Sequence, residues 1–251
     1  MRCQDKLKIY VMTGNKRDKF MDIMNKLLKI AGKENFKLDP AIDKKYIFKL
    51  CWKYGCMLLR GRIFSIGYKD IADTVFIGKK VKILNKKQLT IGEKTKLHDG
   101  VYIDALSKKG VVLGDNVVIG RNSRIECTGG LQYIGCGIKI GNRSTFGNDC
   151  QFGAAGGIDI GDDVVAGQYI RFHSENHNFD DMSKLIREQG VTHKGIKIGN
   201  NCWIGAGTIF LDGAELGDGC VVGANAVVTK KFSDNVVIAG IPAIQIKKRG
   251  E

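Results

Sequence analysis

From Ile198 onward one aliphatic or aromatic residue recurs every six positions without a break: Ile198, Ile204, Phe210, Leu216, Val222 and Val228. An α-helix repeats at about 3.6 residues and a half-buried strand at about 2, so neither produces a sustained period of six. Such a period belongs to a chain that coils into stacked short strands, the β-helix type of solenoid. Upstream the pattern runs in blocks of three: Ile91/Leu97/Ile103, Leu113/Ile119/Ile125, Ile140/Phe146/Phe152 and Ile160/Ala166/Phe172. Three hexads make one 18-residue coil with three sides. Between blocks the spacing is 10, 15, 8 and 26 residues instead of 6, which leaves 4, 9, 2 and 20 extra. Every insertion therefore leaves the solenoid at the same corner.

Glycine commonly follows the key aliphatic, as at Gly92, Gly120, Gly147, Gly205 and Gly223. A tight corner needs residues that accept unusual φ and close backbone approach, and glycine does both. Four residues after the aliphatic comes a small or β-branched side chain, for example Thr95, Ser123, Cys150, Cys202 or Ala226, expected to share the interior. The expected fold is mainly β: a triangular solenoid of hexapeptide repeats with an α-helical N-terminal segment and one long excursion loop. Residues 1–70 form the basic N-terminal part, and residues 71–247 the solenoid with its loop at 173–195.

The chain of 251 residues has a net charge of +14, unevenly placed. Residues 1–70 hold 17 Lys and Arg against 7 Asp and Glu, or +10, which leaves +4 for the remainder. A basic segment of this kind suits acidic lipids or acidic polymers. No nucleic acid is expected, because nothing matches a nucleic-acid module. Neither a membrane-spanning run nor a cleaved leader is read at the start, so the expected location is the cytoplasm or the inner face of the membrane. The eight cysteines form no CxxC pair, and Cys150, Cys202 and Cys220 occupy the small interior position, so they are expected as reduced packing residues.

Two helices are expected in the N-terminal part. Phe20, Ile23, Met24, Leu27, Leu28 and Ile30 follow helical spacing and stop at Gly32, giving a helix over residues 16–31. Lys45 to Phe64 is the second, after Pro40, with Lys45, Lys49 and Lys53 on one stripe. Solenoid ends expose apolar rungs, and capping is the expected role of these helices. Peripheral membrane contact is the alternative.

The longest insertion carries His173, His177 and His193, three of the four histidines, in and after the string HSENHNFDD. Loops on a rigid scaffold are where catalytic groups concentrate. The strings GIKIGNNCWIGAGTIFLDGAELGDGCVVGANAVVTKKF and AGIPA complete the pattern. Together they resemble the hexapeptide-repeat acyltransferases, in the branch of galactoside, maltose, xenobiotic and polysaccharide O-acetyltransferases. The resemblance spans about residues 75–247. It implies a left-handed coil, a hand that the spacing alone does not give.

By that resemblance His177 is the catalytic base, with Glu175 and Asn176 positioning the imidazole or the acceptor. Neutral imidazole is matched to removing a hydroxyl proton near neutral pH. Acetyl-CoA is the implied co-substrate, its pantetheine arm meeting backbone near Ala206 and Ala224. Thr229, Lys230 and Lys231 are placed at its phosphates, where ammonium groups neutralise charge. Ile241 and Pro242 would pack by the adenine, and Trp203 would border the arm or the acceptor pocket. Relatives often carry Arg after AGxPA, where this chain has Ile244, Gln245 and then Lys247, the remaining phosphate candidate. The resemblance further implies homotrimers with sites between subunits.

The leading expectation is O-acetylation of a sugar hydroxyl in surface polysaccharide assembly. N-acetylation of an amino sugar and O-acetylation of an antibiotic or serine are the alternatives among transferases. A γ-type carbonic anhydrase with zinc on His98, His173 and His177, and a non-catalytic scaffold, are more remote. No metal is expected.

Overall fold

A computed structural model describes Leu38, Asp39 and residues 41–251. The helix expected over residues 16–31 lies outside the described residues, as does Pro40. Gly55–Glu251 forms one compact unit, preceded by a second that ends at Tyr54. Helix α1 runs Lys44–Ser65.

From Phe76 the chain visits three parallel sheets in turn, called here faces 1, 2 and 3. One such circuit is Val118–Ile119 on face 1, Arg124–Glu126 on face 2 and Ile138–Ile140 on face 3, after which Thr145–Phe146 returns to face 1 one coil on. The strands stay in register: Phe146 lies between Ile119 and Ala166, and Ile160 between Ile140 and Ile198. This is the triangular coil that the sequence predicts. All four insertions leave between face 2 and face 3.

The six-residue pattern is the core. Each of its aliphatic and aromatic residues is at most 5% exposed, and the small residues four positions later are buried with them. Burying one Leu, Ile or Phe contributes about 1.5–3 kcal/mol. On face 2 Phe152, Phe172 and Phe210 occupy successive coils with ring centroids 5.0 and 4.9 Å apart, nearly parallel. That spacing is close to the strand separation of a sheet, about 4.8 Å, so the coil rise itself sets the stack. Cys127, Cys150, Cys202 and Cys220 are buried free thiols. Desolvation pushes the thiols of Cys127 and Cys150 up, to about 12 and about 11.

One expectation about the corners is corrected. The glycine after the key aliphatic is there for close approach: a Cβ at Gly120 would lie 2.1 Å from the Gly147 carbonyl oxygen of the next coil. Unusual φ falls two residues later, at Asn116, Asn122, Asp149, Asn201 and Asn225, all between 53° and 58°. Asn and Asp tolerate this left-handed region better than most side chains.

The corner between face 3 and face 1 is tied by side chains in series. The amide of Glu93 donates to Asp115 Oδ1, that of Asp115 to Asn142, that of Asn142 to Asp162, that of Asp162 to Asn200 and that of Asn200 to Asp218, at 2.6–2.9 Å. Carboxylate and amide alternate through Asp115, Asn142, Asp162, Asn200 and Asp218, which keeps like charges apart over these rungs; only at the end, where the Asp218 amide donates to Asp234 Oδ1 at 2.9 Å, do two carboxylates follow one another.

The first coil is covered by the last two turns of α1. Met57 is fully buried, Arg60 Nε donates to the Ile77 carbonyl at 2.8 Å, and Gly61 lies against Val75 so closely that a Cβ there would meet its carbonyl at 1.8 Å. At the far end, Val236–Ala239 pairs antiparallel with Ile244–Lys248, which closes face 1.

Asn142→Asp tests the alternating corner. The new carboxylate would stand between Asp115 and Asp162 and lose the donor that reaches Asp162 Oδ2 at 3.3 Å. Its neighbours raise its pKa in the folded state, so the penalty is present at neutral pH and fades as the group protonates in acid. The expected cost is about 1 kcal/mol near pH 7, shrinking toward pH 4, measured by denaturant unfolding at both pH values.

Candidate active site

The excursion leaves face 2 after Arg171–His173 and rejoins face 3 at Ile196–Ile198. Both stems are pinned by groups from the solenoid. Buried Ser174 donates its hydroxyl to the Gly153 carbonyl at 2.7 Å and accepts from the Gly156 amide at 2.9 Å. On the return, the Asp212 carboxylate accepts from the amides of Lys194 and Gly195 at 2.9 and 2.8 Å. Asp212 is 6% exposed and stands at the same corner one coil later.

Between the stems Asn176–His177 and Val191–Thr192 form a two-stranded antiparallel ribbon in which His177 faces Val191. At the ribbon's base His193 Nε2 lies 2.7 Å from Glu175 Oε2, with the two side chains 30% and 32% exposed. Further out, Gln189 holds the loop together: its side-chain amide accepts from the Asp181 amide at 3.0 Å and donates to the Asp181 carbonyl at 2.9 Å. The catalytic candidate is thus carried on a braced ribbon.

A cavity of about 400 Å³ lies under this ribbon on face 2, lined by Glu126, Gln151, Gly153, His173, Glu175 and His177 among others. Register explains the opening. Glu126, Gly153, His173 and Leu211 follow one another on the outer side of successive coils. Gly153 contributes no side chain, and its missing Cβ would meet nothing within 4 Å except the Phe172 carbonyl at 3.1 Å. Glu126 is held by Arg124, which reaches its two oxygens at 2.9 and 3.2 Å and rests over the Tyr102 ring. Burial, helped by the nearby Arg171 charge, lowers the pKa of His173 and favours a neutral imidazole.

The structure brings His177 and Glu175 to one cavity and adds His173, Glu126 and Gly153. The hexad pattern gave no signal for Glu126 or Gly153, since both occupy outward positions that the repeat leaves unconstrained. Asn176 is on the ribbon beside His177, its carbonyl opposite Thr192. His193, close to the loop's return to the solenoid, is the partner of Glu175. His98 lies after a face 1 strand, at the corner between faces 1 and 2, away from the loop. Among the described residues no group of three His, Cys, Asp or Glu side chains converges as metal ligands.

Four of the coenzyme candidates flank face 2, and the others are scattered. Ala206 and Ala224 stack in consecutive coils at the corner between faces 1 and 2, where the Asn225 amide donates to the Ala206 carbonyl at 2.9 Å. Thr229 and Lys230 stand at the loop's own corner, two coils later. Between these corners the outer side of face 2 is apolar, with Ile209, Leu211 and Val227. The other candidates are elsewhere in the chain. Trp203 projects from face 1 between Val165 and Val221 and is 60% exposed. Lys231 is on face 3, 3.0 Å from Glu215. Ile241 and Pro242 form the exposed turn before the last strand, and Lys247 Nζ donates to the Glu251 carbonyl.

Asp212→Ala would leave the two stem amides without their acceptor. Amide exchange at Lys194 and Gly195 is expected to rise by about tenfold or more, with little change in the core strand Phe210 or Phe172, as read by hydrogen exchange.

Comparison with known proteins agrees with this geometry. Residues 195–230 match the family described as bacterial transferase hexapeptide (six repeats). The colanic acid biosynthesis acetyltransferase WcaF of Escherichia coli, so named, is 31% identical over 142 residues, covering 57% of this chain and 71% of that protein. The galactoside O-acetyltransferase of Escherichia coli is 27% identical over 173 residues, 68% of this chain and 70% of its own. An acetyltransferase of Mycobacterium tuberculosis is 31% identical over 112 residues, and the chain spans only 37% of its length. Among solved structures, the N-acyltransferase AntD of Bacillus cereus, in complex with dTDP-4-amino-4,6-dideoxyglucose and coenzyme A, superposes with a TM-score of 0.52 at 18% identity over 76% of this chain and 90% of that one, a likeness of fold. With its coils, its corner loop and these relatives, the chain belongs to the hexapeptide-repeat acyltransferases.

Proposed function

We propose that the protein transfers an acetyl group from acetyl-CoA to a hydroxyl of a saccharide, with His177 as general base, in the assembly of a surface polysaccharide. The observation that carries this reading is His177 on a ribbon pinned at both stems, facing a cavity lined by polar side chains. The similarity to WcaF and to galactoside O-acetyltransferase supports a saccharide hydroxyl as acceptor. The apolar strip of face 2, flanked by Ala206 and Ala224 on one side and Thr229 and Lys230 on the other, fits a pantetheine arm with phosphates at the lysine.

In the reaction the acceptor oxygen attacks the thioester carbonyl as His177 takes its proton. The carbon–oxygen bond forms, the tetrahedral oxyanion collapses, and the carbon–sulfur bond breaks. The CoA thiolate leaves and recovers a proton from the imidazolium, so no covalent enzyme intermediate is needed. Backbone N–H groups would stabilise the oxyanion. Glu175, tied to His193, holds the base of the ribbon and so the direction of His177. His177→Ala should lower kcat by about 100-fold or more, with CoA binding and the unfolding midpoint unchanged. Acetyl transfer at the normal rate in that variant would overturn the assignment. The acceptor is read by following thiol release with acetyl-CoA and a panel of oligosaccharides, nucleotide sugars and amino sugars. Stoichiometric zinc in the purified protein would instead favour the anhydrase.

The protein is further proposed to work as a homotrimer, at the inner face of the membrane. Phe179, Met182, Leu185 and Ile186 leave apolar surface on the excursion, and Val165 and Trp203 do so on face 1, surface that a second copy would cover. Helix α1 carries six basic residues and no acidic one, with Phe48, Trp52, Leu59 and Ile63 exposed. No helix among the described residues is long and apolar enough to cross a membrane, so contact would be lateral. Light scattering should return three times the chain mass, and the protein should sediment with anionic vesicles and not with neutral ones, the binding falling as salt is raised.

A further inference from the structure

Arg171 stands at the edge of the cavity under His177, exposed on the outer side of face 2 in the last strand before the excursion. In register it lies between Gln151, which lines the cavity, and Ile209 of the apolar strip, and His173 is its neighbour two residues along on the same side. No ion-pair partner holds its guanidinium among the described residues. Both carboxylates that line the cavity are engaged elsewhere, Glu126 by Arg124 and Glu175 by His193.

The equivalent position two coils earlier shows what such a guanidinium takes. Arg124 stands in the same outer column, with Gln151 between it and Arg171, and holds the Glu126 carboxylate two residues along at 2.9 and 3.2 Å. In the coil of Arg171 the place of Glu126 is taken by His173, and in the coil between by Gly153. Burial first, and the Arg171 charge second, lower the pKa of His173, which favours the neutral imidazole and leaves the guanidinium without a countercharge there. Arg171 therefore lacks the carboxylate that its counterpart has, and it stands beside the room that Gly153 opens in the cavity.

A planar guanidinium with paired N–H donors matches a carboxylate through two parallel hydrogen bonds. The coenzyme does not supply that group. In the proposed arrangement its phosphates lie at Thr229 and Lys230, in the coils after the loop, and the end that reaches His177 is an uncharged thioester. We propose that Arg171 binds a carboxylate on the acceptor, so that the saccharide acetylated is an acidic one, a uronic acid or another carboxylated sugar. This inference rests on the acyltransferase reading of the cavity. Two residues along a strand cover about 6.6 Å, so a carboxylate at Arg171 and a hydroxyl beside His173 lie within the span of one sugar ring.

The first arm of the test needs no turnover. Saturation-transfer NMR on the full chain compares glucuronic acid with glucose and galacturonic acid with galactose. At least one acid should bind about tenfold more tightly than its neutral partner. Arg171→Gln should remove that preference and Arg171→Lys should keep part of it, whereas Arg121→Gln, with the same loss of charge at another corner, should keep all of it. Acid and neutral sugars binding alike, or not at all, or equal loss of preference in Arg171→Gln and Arg121→Gln, would overturn the proposal. The second arm follows thiol release from acetyl-CoA with the same sugar pairs. Arg171→Gln should raise KM for the acidic acceptor by about tenfold and leave KM for its neutral partner and for acetyl-CoA unchanged. A fall in kcat with acidic and neutral acceptors alike would give the guanidinium to the oxyanion, and a higher KM for acetyl-CoA alone would give it to the coenzyme; either result overturns the proposal. If no acceptor releases thiol while the Arg171-dependent preference persists, the acyltransferase reading fails and the carboxylate site stands.

Discussion

Everything in this protein depends on the hydrogen bond between equivalent residues of successive coils. Each strand is only two to five residues long, too short to persist alone, and is held by amides and carbonyls of the coils on either side. Such bonding demands that every coil repeat the path of the last at about 4.8 Å. That demand explains why Gly120 cannot carry a side chain above Gly147, and why Asn and Asp gather where φ turns positive. It also explains the stacked rings of Phe152, Phe172 and Phe210. A side chain placed well in one coil is repeated under the same constraint in the next.

The three outer faces, freed from that constraint, differ in kind. Face 3 runs Lys139, Asp159, Lys197, Glu215 and Lys231 in register, an alternation of charge that attracts along the column and presents a wet surface. Exposed pairs of this sort contribute little individually, about 0–1 kcal/mol. Their use is to keep like charges apart and neighbouring molecules off. Lys231 illustrates the consequence, since its ammonium already faces Glu215 and is less available to a phosphate than Lys230. Face 1 is apolar around Val165 and Trp203, and face 2 passes from the polar cavity to the apolar strip beyond Leu211.

The interior was legible in the sequence because burial repeats: a period of six, with a small residue four places on, names the core from Ile91 to Val228. The exit corner was equally legible, since insertion lengths can be counted. The second helix was found within a residue at each end. What the sequence did not disclose are contacts whose partners are separated by insertions of irregular length. The Asp162–Asn200 bond spans 38 residues, and Asp115–Asn142 spans 27, so the corner ladder has no fixed period. The Glu175–His193 pair spans 18 residues inside a loop with no repeat at all. The cavity depends on Gly153, whose importance is the absence of a side chain on an outward position, and no hydrophobic pattern marks that.

Placing all the insertions at one corner has a physical reason. A coil closes its hydrogen bonds before the corner and reopens them after it, so added residues break no ladder. The closure entropy of a loop grows only as the logarithm of its length, about 0.6 kcal/mol for each doubling. The excursion with 20 extra residues therefore costs little more than the insertion with 9. What such a loop requires is that its two stems be fixed, and here the neighbouring coils supply the fixing groups: Gly153 and Gly156 beneath Ser174, and Asp212 above Lys194. Those groups belong to the scaffold and not to the loop. The loop's length and sequence can vary while His177 is still delivered to the same side of face 2, and the acceptor can change without any change in the coil.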